Sequence, residues 1–206
     1  RRGPGATSRA WRVSLPGMTP SAGQAASDAH DVAVGPLDLG ARVDEALAVQ
    51  AQAFGLTPQE VAVRRHIVLR HLATPGARAL GATCRDGRLV GFVYGMPNDR
   101  RQWWSTVVEP YLRAAGHESW LDDSFTITEL HVLPAYQAHG IGRRLITGLT
   151  DAAAERRSLL SAIDTESPAR HLYRKLGYRD LARRVHFPSA PSPYAVMGAP
   201  LPLRRP

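Results

Sequence analysis

Phe125-Thr126-Ile127-Thr128-Glu129-Leu130-His131-Val132-Leu133-Pro134 runs on into Ala135-Tyr136-Gln137-Ala138-His139-Gly140-Ile141-Gly142-Arg143-Arg144, and the fold turns on how this stretch is read. Phe125 and Ile127 are apolar at period two. So are Leu130 and Val132, but the two pairs are out of phase. Side chains alternate faces along a strand, so the apolar face shifts by one residue between Ile127 and Leu130. A β-bulge at Thr128–Glu129 returns both pairs to one core. It also splays the strand from its neighbour, and such a cleft accepts an extended ligand by strand-like hydrogen bonding. A strand buried on both faces with one surface glutamate accounts for the segment equally well.

The second half of the stretch is a loop and a helix start. Leu145, Ile146 and Leu149 follow at helical spacing, which predicts a helix over 140–156. A helix start offers unpaired N–H groups and a partial positive charge. Gly140 and Gly142 place no Cβ in the way of a phosphate, and Arg143 and Arg144 add charge. The stretch suits a pyrophosphate. It lacks the GxGxxG of a dinucleotide fold and the GK[ST] of a P-loop.

Outward from there, residues 1–30 are rich in Gly, Pro, Ala and Ser and read as a flexible tail. The folded domain is expected over 31–206, as a single unit. It starts with a short strand near Val32 and Val34. A helix capped by Asp38 runs to Phe54 and Gly55, with Gln50 on its apolar stripe. Thr57-Pro58-Gln59-Glu60 has the residues of a capping box with proline in the first turn, which predicts a second helix to about Ala73. Strands over 78–85 and 88–95 flank Asp86-Gly87, a two-residue type I′ hairpin signal. Helical character follows from Trp103. Beyond the central stretch come a strand at 159–163, a helix at 168–176 stopped by Gly177, and strands at 178–187 and 194–201. The class is α/β with a mixed sheet.

The chain has 206 residues, 44% hydrophobic, and no apolar run long enough to cross a bilayer. No secretory signal is visible at Arg1-Arg2-Gly3-Pro4-Gly5. The single cysteine, Cys84, allows no internal disulfide, which fits a reducing cytoplasm, and it reads as a small buried strand residue. The net charge of +8 is nearly all arginine, with Lys175 the only lysine. The arginines are scattered, which favours compositional bias over nucleic-acid binding. No His/Cys/Asp/Glu set has metal spacing, so no metal is expected.

Ile127–Pro134 and Gln137–Gly142, with Ala169-Arg170-His171-Leu172-Tyr173-Arg174-Lys175-Leu176-Gly177-Tyr178 further on, resemble the GNAT superfamily of CoA-dependent N-acyltransferases. The first two look like the family's fourth strand and its [QR]xxGx[GA] loop; the third looks like its A-x-x-L-Y-x-K-x-G-[FY] helix. The resemblance implies a mixed, mostly antiparallel sheet of about six or seven strands, flanked by helices and splayed at the fourth strand. It implies acetyl-CoA as cosubstrate and an amine, small-molecule or protein, as acceptor. A homodimer is compatible with it; a membrane partner is not expected.

Carried over, the main chain of Leu130, His131 and Val132 pairs with the pantetheine arm. The Leu130 N–H polarises the thioester carbonyl. Gln137, Ala138, His139, Gly140, Ile141, Gly142 and Arg143 hold the pyrophosphate. Tyr173 packs beside the sulfur and protonates the departing thiolate, or only packs. Glu129 is the candidate base, with His131 its rival, or else it orients substrate. Many family members have Asn seven residues before the tyrosine. Here that residue is Glu166, and Ser167 is the substitute for the lost contact. Residues 97–123, with Trp103, Trp104 and Trp120, are expected to help select the acceptor. The reading from another class is a non-catalytic acyl-CoA sensor or partner-binding module.

Overall fold

A computed structural model of the chain describes residues 31–188 and 190–204; the tail expected over 1–30 lies outside the described residues. The phase change resolves as a bulge. Along strands β3 (Leu89–Pro97) and β4 (Ser124–Val132), Tyr94 pairs with Glu129 and Gly95 with Ile127, so Thr128 has no cross-strand partner. The inserted residue brings Phe125, Ile127 and Val132 into one core, with Leu130 packed against it. Gly95 lies at the shift because a Cβ there would run into the Thr126 carbonyl oxygen and come within 2.6 Å of the Phe125 ring.

Seven strands form one sheet in the order β1-β2-β3-β4-β5-β7-β6. The others are β1 (Ala33–Pro36), β2 (Arg78–Thr83), β5 (Arg157–Ile163), β6 (Arg179–Val185) and β7 (Tyr194–Pro200). Every pairing is antiparallel except β4 with β5. Five helices flank it: α1 (Val43–Phe54), α2 (Pro58–Leu72), α3 (Trp103–Ala114), α4 (Ile141–Asp151) and α5 (Pro168–Lys175). Leu145, Ile146 and Leu149 of α4 share one core with Tyr173 and Leu176. On the opposite face, α1 and α2 cover Phe92 and Tyr94. Val108 and Leu112 of α3 pack there against Leu159 and Val196.

Local signals decide most boundaries. Thr57 and Glu60 make both hydrogen bonds of the capping box at α2. Gly55 ends α1 in the left-handed conformation, at φ 70°. Asp38 does not cap α1: its Oδ1 accepts from the Ala41 N–H in a preceding turn, and the helix starts at Val43 behind Arg42. The hairpin is not type I′, because only Gly87, at φ 82°, has positive φ, and its N–H donates to the Cys84 carbonyl in a four-residue turn. Cys84 therefore sits just past β2 and is only half-buried. α4 stops at Asp151, short of 156. The chain must reach Arg157, which pairs with Ser124, and tertiary pairing overrides the alanine propensity of 152–154.

Candidate functional site

β4 and β5 pair only over Ser124–Thr126 against Arg157–Leu159. Both continue in parallel beyond this, β4 to Val132 and β5 to Ile163, without pairing. This parting is the cleft. Peptide groups alternate sides along an antiparallel ladder. Leu133 N–H donates to the Val90 carbonyl at 2.8 Å, so Leu133, His131 and Glu129 direct their main chain to β3. Leu130 and Val132 direct theirs into the cleft. Of the three residues expected to offer main chain there, His131 instead faces β3 and brings its side chain to the site.

The loop after β4 is built by a 3-10 turn, Pro134–Tyr136, and two left-handed residues, Ala138 at φ 65° and Gly140 at φ 75°. Alternating handedness turns successive N–H groups inward as a concave nest. Gln137 Nε2 donates to the Val132 carbonyl at 2.9 Å and ties the loop to the strand. His139 is exposed, its Nδ1 at 2.7 Å from the Gln137 carbonyl. Among the described residues no protein acceptor serves the N–H groups of Gly140, Ile141, Gly142 or Arg143. A Cβ on Gly142 would meet nothing closer than Leu172 Cδ2 at 3.4 Å, so protein packing does not require glycine there. Arg144 turns away and holds the Val32 carbonyl at 2.9 Å, leaving Arg143 as the arginine of this loop start. The Thr128 hydroxyl at the bulge is buried without a partner among the described residues. Open amides, the parted strands and this orphaned hydroxyl fit a diphosphate with an extended arm.

The other face of β4 carries a charged cluster. His131 Nε2 lies 2.7 Å from Glu129 Oε2, and Arg64 Nη1 of α2 donates to Glu129 Oε1 at 3.1 Å. Gln50, 2% exposed on the stripe of α1, also favours the charged form of this carboxylate. Burial pushes the Glu129 carboxyl up, but the His131 hydrogen bond, the charges of His131 and Arg64, and Gln50 outweigh it and hold it below its usual range. The His131 ring is flanked by Phe54 at 5.5 Å and Phe92 at 5.6 Å between centroids. The Tyr94 hydroxyl meets His71 Nδ1 at 3.2 Å, and burial together with the Glu129 charge raises its pKa.

Tyr173 stands on α5 beside Tyr178, ring centroids 5.9 Å apart. Burial and then the Glu129 charge push its phenol up to about 12. The two candidate acid–base residues are thus brought within electrostatic reach of each other. α5 is capped by Ser167, whose oxygen accepts from the Arg170 N–H at 3.3 Å, leaving a hydroxyl proton to donate. Glu166 is paired with Arg174 at 2.6 Å. The helix is anchored by Arg170, fully buried, which holds Asp164 at 2.8 Å and Asp180 at 2.6 Å. Asp164 also accepts from Arg183 and the Arg184 N–H.

Among residues 97–123, Trp104 Nε1 donates to Ser161 Oγ of β5 at 2.9 Å. Trp103 is 58% exposed and stacks near Phe187 at 5.8 Å; Phe187 meets Tyr194 at 5.2 Å. The pKa of Tyr194 is raised by burial and by Glu129. Arg100 is not free for a ligand, being paired with Glu109, Glu118 and Asp122. Arg64, Gln50, Gly95, Arg170 and Tyr194 were not singled out as site residues from sequence. Gln50 carried a signal, a polar side chain on an apolar stripe; Arg64 carried none. No group of three or more His, Cys, Asp or Glu among the described residues could hold a metal ion. No helix among them is long and apolar enough to cross a membrane.

Comparison with known proteins agrees with this fold. The Acetyltransferase (GNAT) family profile matches residues 52–178. A GCN5-like protein acetyltransferase of Mycobacterium tuberculosis is 28% identical over 197 residues, covering 82% of this chain and 96% of its own. A GNAT-family structure from Desulfovibrio desulfuricans superposes with TM-score 0.61 at 18% identity, covering 82% of this chain and 98% of its own. The PaiA N-acetyltransferase of Thermoplasma acidophilum, solved with coenzyme A, gives TM-score 0.55 at 12% identity, covering 82% and 98%.

Proposed function

The chain belongs to the Acetyltransferase (GNAT) family, and from that premise we propose that it is an N-acyltransferase that moves an acetyl group from acetyl-CoA directly to an amine. The observation that carries this reading is the parting of β4 from β5 behind open helix-start amides. The N–H groups of 140–143 would hold the pyrophosphate, with the Arg143 side chain beside them. The main chain of Leu130 and Val132 would hold the pantetheine arm, and Gln137 keeps loop and strand in register. When bound, acetyl-CoA supplies an acyl group activated as a thioester.

The chain's own residues then manage charge and protons. The Leu130 N–H donates to the thioester carbonyl oxygen as negative charge grows there. The acceptor arrives as an ammonium ion and sheds a proton, which Glu129 and His131 receive as a pair, directly or through water. Its nitrogen forms the new bond to the acyl carbon as the carbon–sulfur bond breaks. Tyr173 gives its proton to the departing sulfur, and its raised pKa keeps that proton in place until then. Ser167 closes the same end of the site. Residues 31–206 act as the one transferase domain.

The test is a thiol-release screen with acetyl-CoA over primary amines of graded size and charge. Release that depends on one class of amine supports the reading. Acetyl-CoA binding without release from any amine overturns it in favour of a binding module.

A further inference from the structure

Both oxygens of Glu129 are engaged by the protein itself. Oε2 is with His131 at 2.7 Å and Oε1 with Arg64 at 3.1 Å. Arg64 therefore stands where the ammonium of an acceptor must come. Its side chain, from α2, is 35% exposed, and that of Glu129, from β4, is 22%, so solvent partly reaches the pair. Glu129 Oε1 is the one acceptor bonded to the Arg64 guanidinium among the described residues. Its remaining N–H groups are donors in a rigid fork suited to a carboxylate.

We infer that Arg64 selects acceptors carrying a carboxylate next to the amine, on an apolar or aromatic body. A plain amine that takes Glu129 leaves Arg64 without a partner, and removing one member of a partly buried ion pair is unfavourable. A zwitterion replaces both members at once: its ammonium goes to Glu129, its carboxylate to Arg64. Net charge around the pair is then unchanged. Partial exposure limits the discrimination, because water can solvate the displaced guanidinium. The body of the acceptor has a lane to lie in. Tyr194, whose hydroxyl feels both Glu129 and Arg64, continues through Phe187 to the exposed Trp103.

The inference rests on the transferase reading, and its test separates the two. L-phenylalanine and L-phenylalaninamide share one body and differ in the carboxylate. Thiol release is measured for both, with kcat/KM expressed per free base because the amide's amine is the weaker base. Calorimetry then titrates the same pair into the CoA-bound protein. The expected result is a preference of about tenfold for phenylalanine in wild type, in kcat/KM and in Kd alike, the scale of one moderately exposed charge contact. Arg64→Gln abolishes the preference and Arg64→Lys keeps part of it. Equal or better use of the amide by wild type overturns the inference, as does a preference that survives Arg64→Gln. If neither compound is acetylated while other amines are, the inference fails and the transferase reading stands. No release from any amine sinks that reading, and this inference with it.

Discussion

The Glu129 carboxylate and the His131 imidazole, two residues apart on β4, project from one face and meet at 2.7 Å. Period two puts both on one face, and the bulge at Thr128 lets Ile127 sit on the opposite face with Leu130 instead of beside them. The Glu129 charge is felt by Tyr94 on β3, Tyr173 on α5, Tyr194 on β7 and His71 on α2. Since the Glu129 carboxyl is held below its usual range, it is already ionised at the neutral and alkaline pH where amines attack. Glu129→Gln is therefore expected to lower kcat/KM by about tenfold or more at every such pH, without adding an ionisation to the profile. The check is a rate–pH series on both proteins; a profile whose acid limb disappears in the variant would show that Glu129 itself titrates there.

Tyr173 makes a sharper case. Among the described residues its hydroxyl has no hydrogen-bond partner, and burial plus Glu129 push its pKa up to about 12. Tyr173→Phe removes only a proton source. Turnover should fall at least about tenfold, with KM for acetyl-CoA and the melting temperature unchanged. Unaltered kcat would remove the phenol from the mechanism.

The fold was legible because its signals are local. The phase change at Ile127–Leu130, the capping box at Thr57 and Glu60, and the loop before Ile141 are each carried by a few adjacent residues. What failed to show depends on contacts across the chain. Arg64 and Glu129 lie 65 residues apart, and nothing in the Arg64-Arg65 pair marks which side chain faces the sheet. The end of α4 is likewise set by where β5 must pair, against local alanine propensity. The sidedness of the β4 peptide groups depends on the register with β3, which the sequence does not carry, so the sequence alone groups His131 with Leu130 and Val132.

The two loop glycines should behave differently. Gly140 holds φ 75°, a conformation that costs an alanine about 1–2 kcal/mol. Gly140→Ala should lower the melting temperature and weaken acetyl-CoA together. Gly142 has room for a Cβ, with Leu172 at 3.4 Å. Gly142→Ala should leave the melting temperature unchanged and raise KM for acetyl-CoA about tenfold, since the Cβ enters the space of a phosphate. Equal affinity in Gly142→Ala would mean that the pyrophosphate lies elsewhere.

Arg170 gives a prediction about stability alone. Its guanidinium is fully buried between Asp164 and Asp180, joining the ends of β5, α5 and β6. Arg170→Met leaves both carboxylates in place without it, and removing one partner of a buried pair costs about 3–5 kcal/mol. Burial pushes the Asp164 carboxyl up, but hydrogen bonds from Arg183, the Arg184 N–H and Arg170 outweigh that and hold it below 3.8. A group held low in the folded state contributes stability above its unfolded value and loses it as pH falls through the folded one. Wild type should accordingly lose stability below about pH 4. Part of that loss is already present in Arg170→Met at neutral pH, so the gap between the two melting temperatures should narrow as the solution is acidified. Thermal melts at neutral pH and near pH 4 check this; a gap that widens on acidification would mean that Arg170 does not stabilise the ionised form of Asp164.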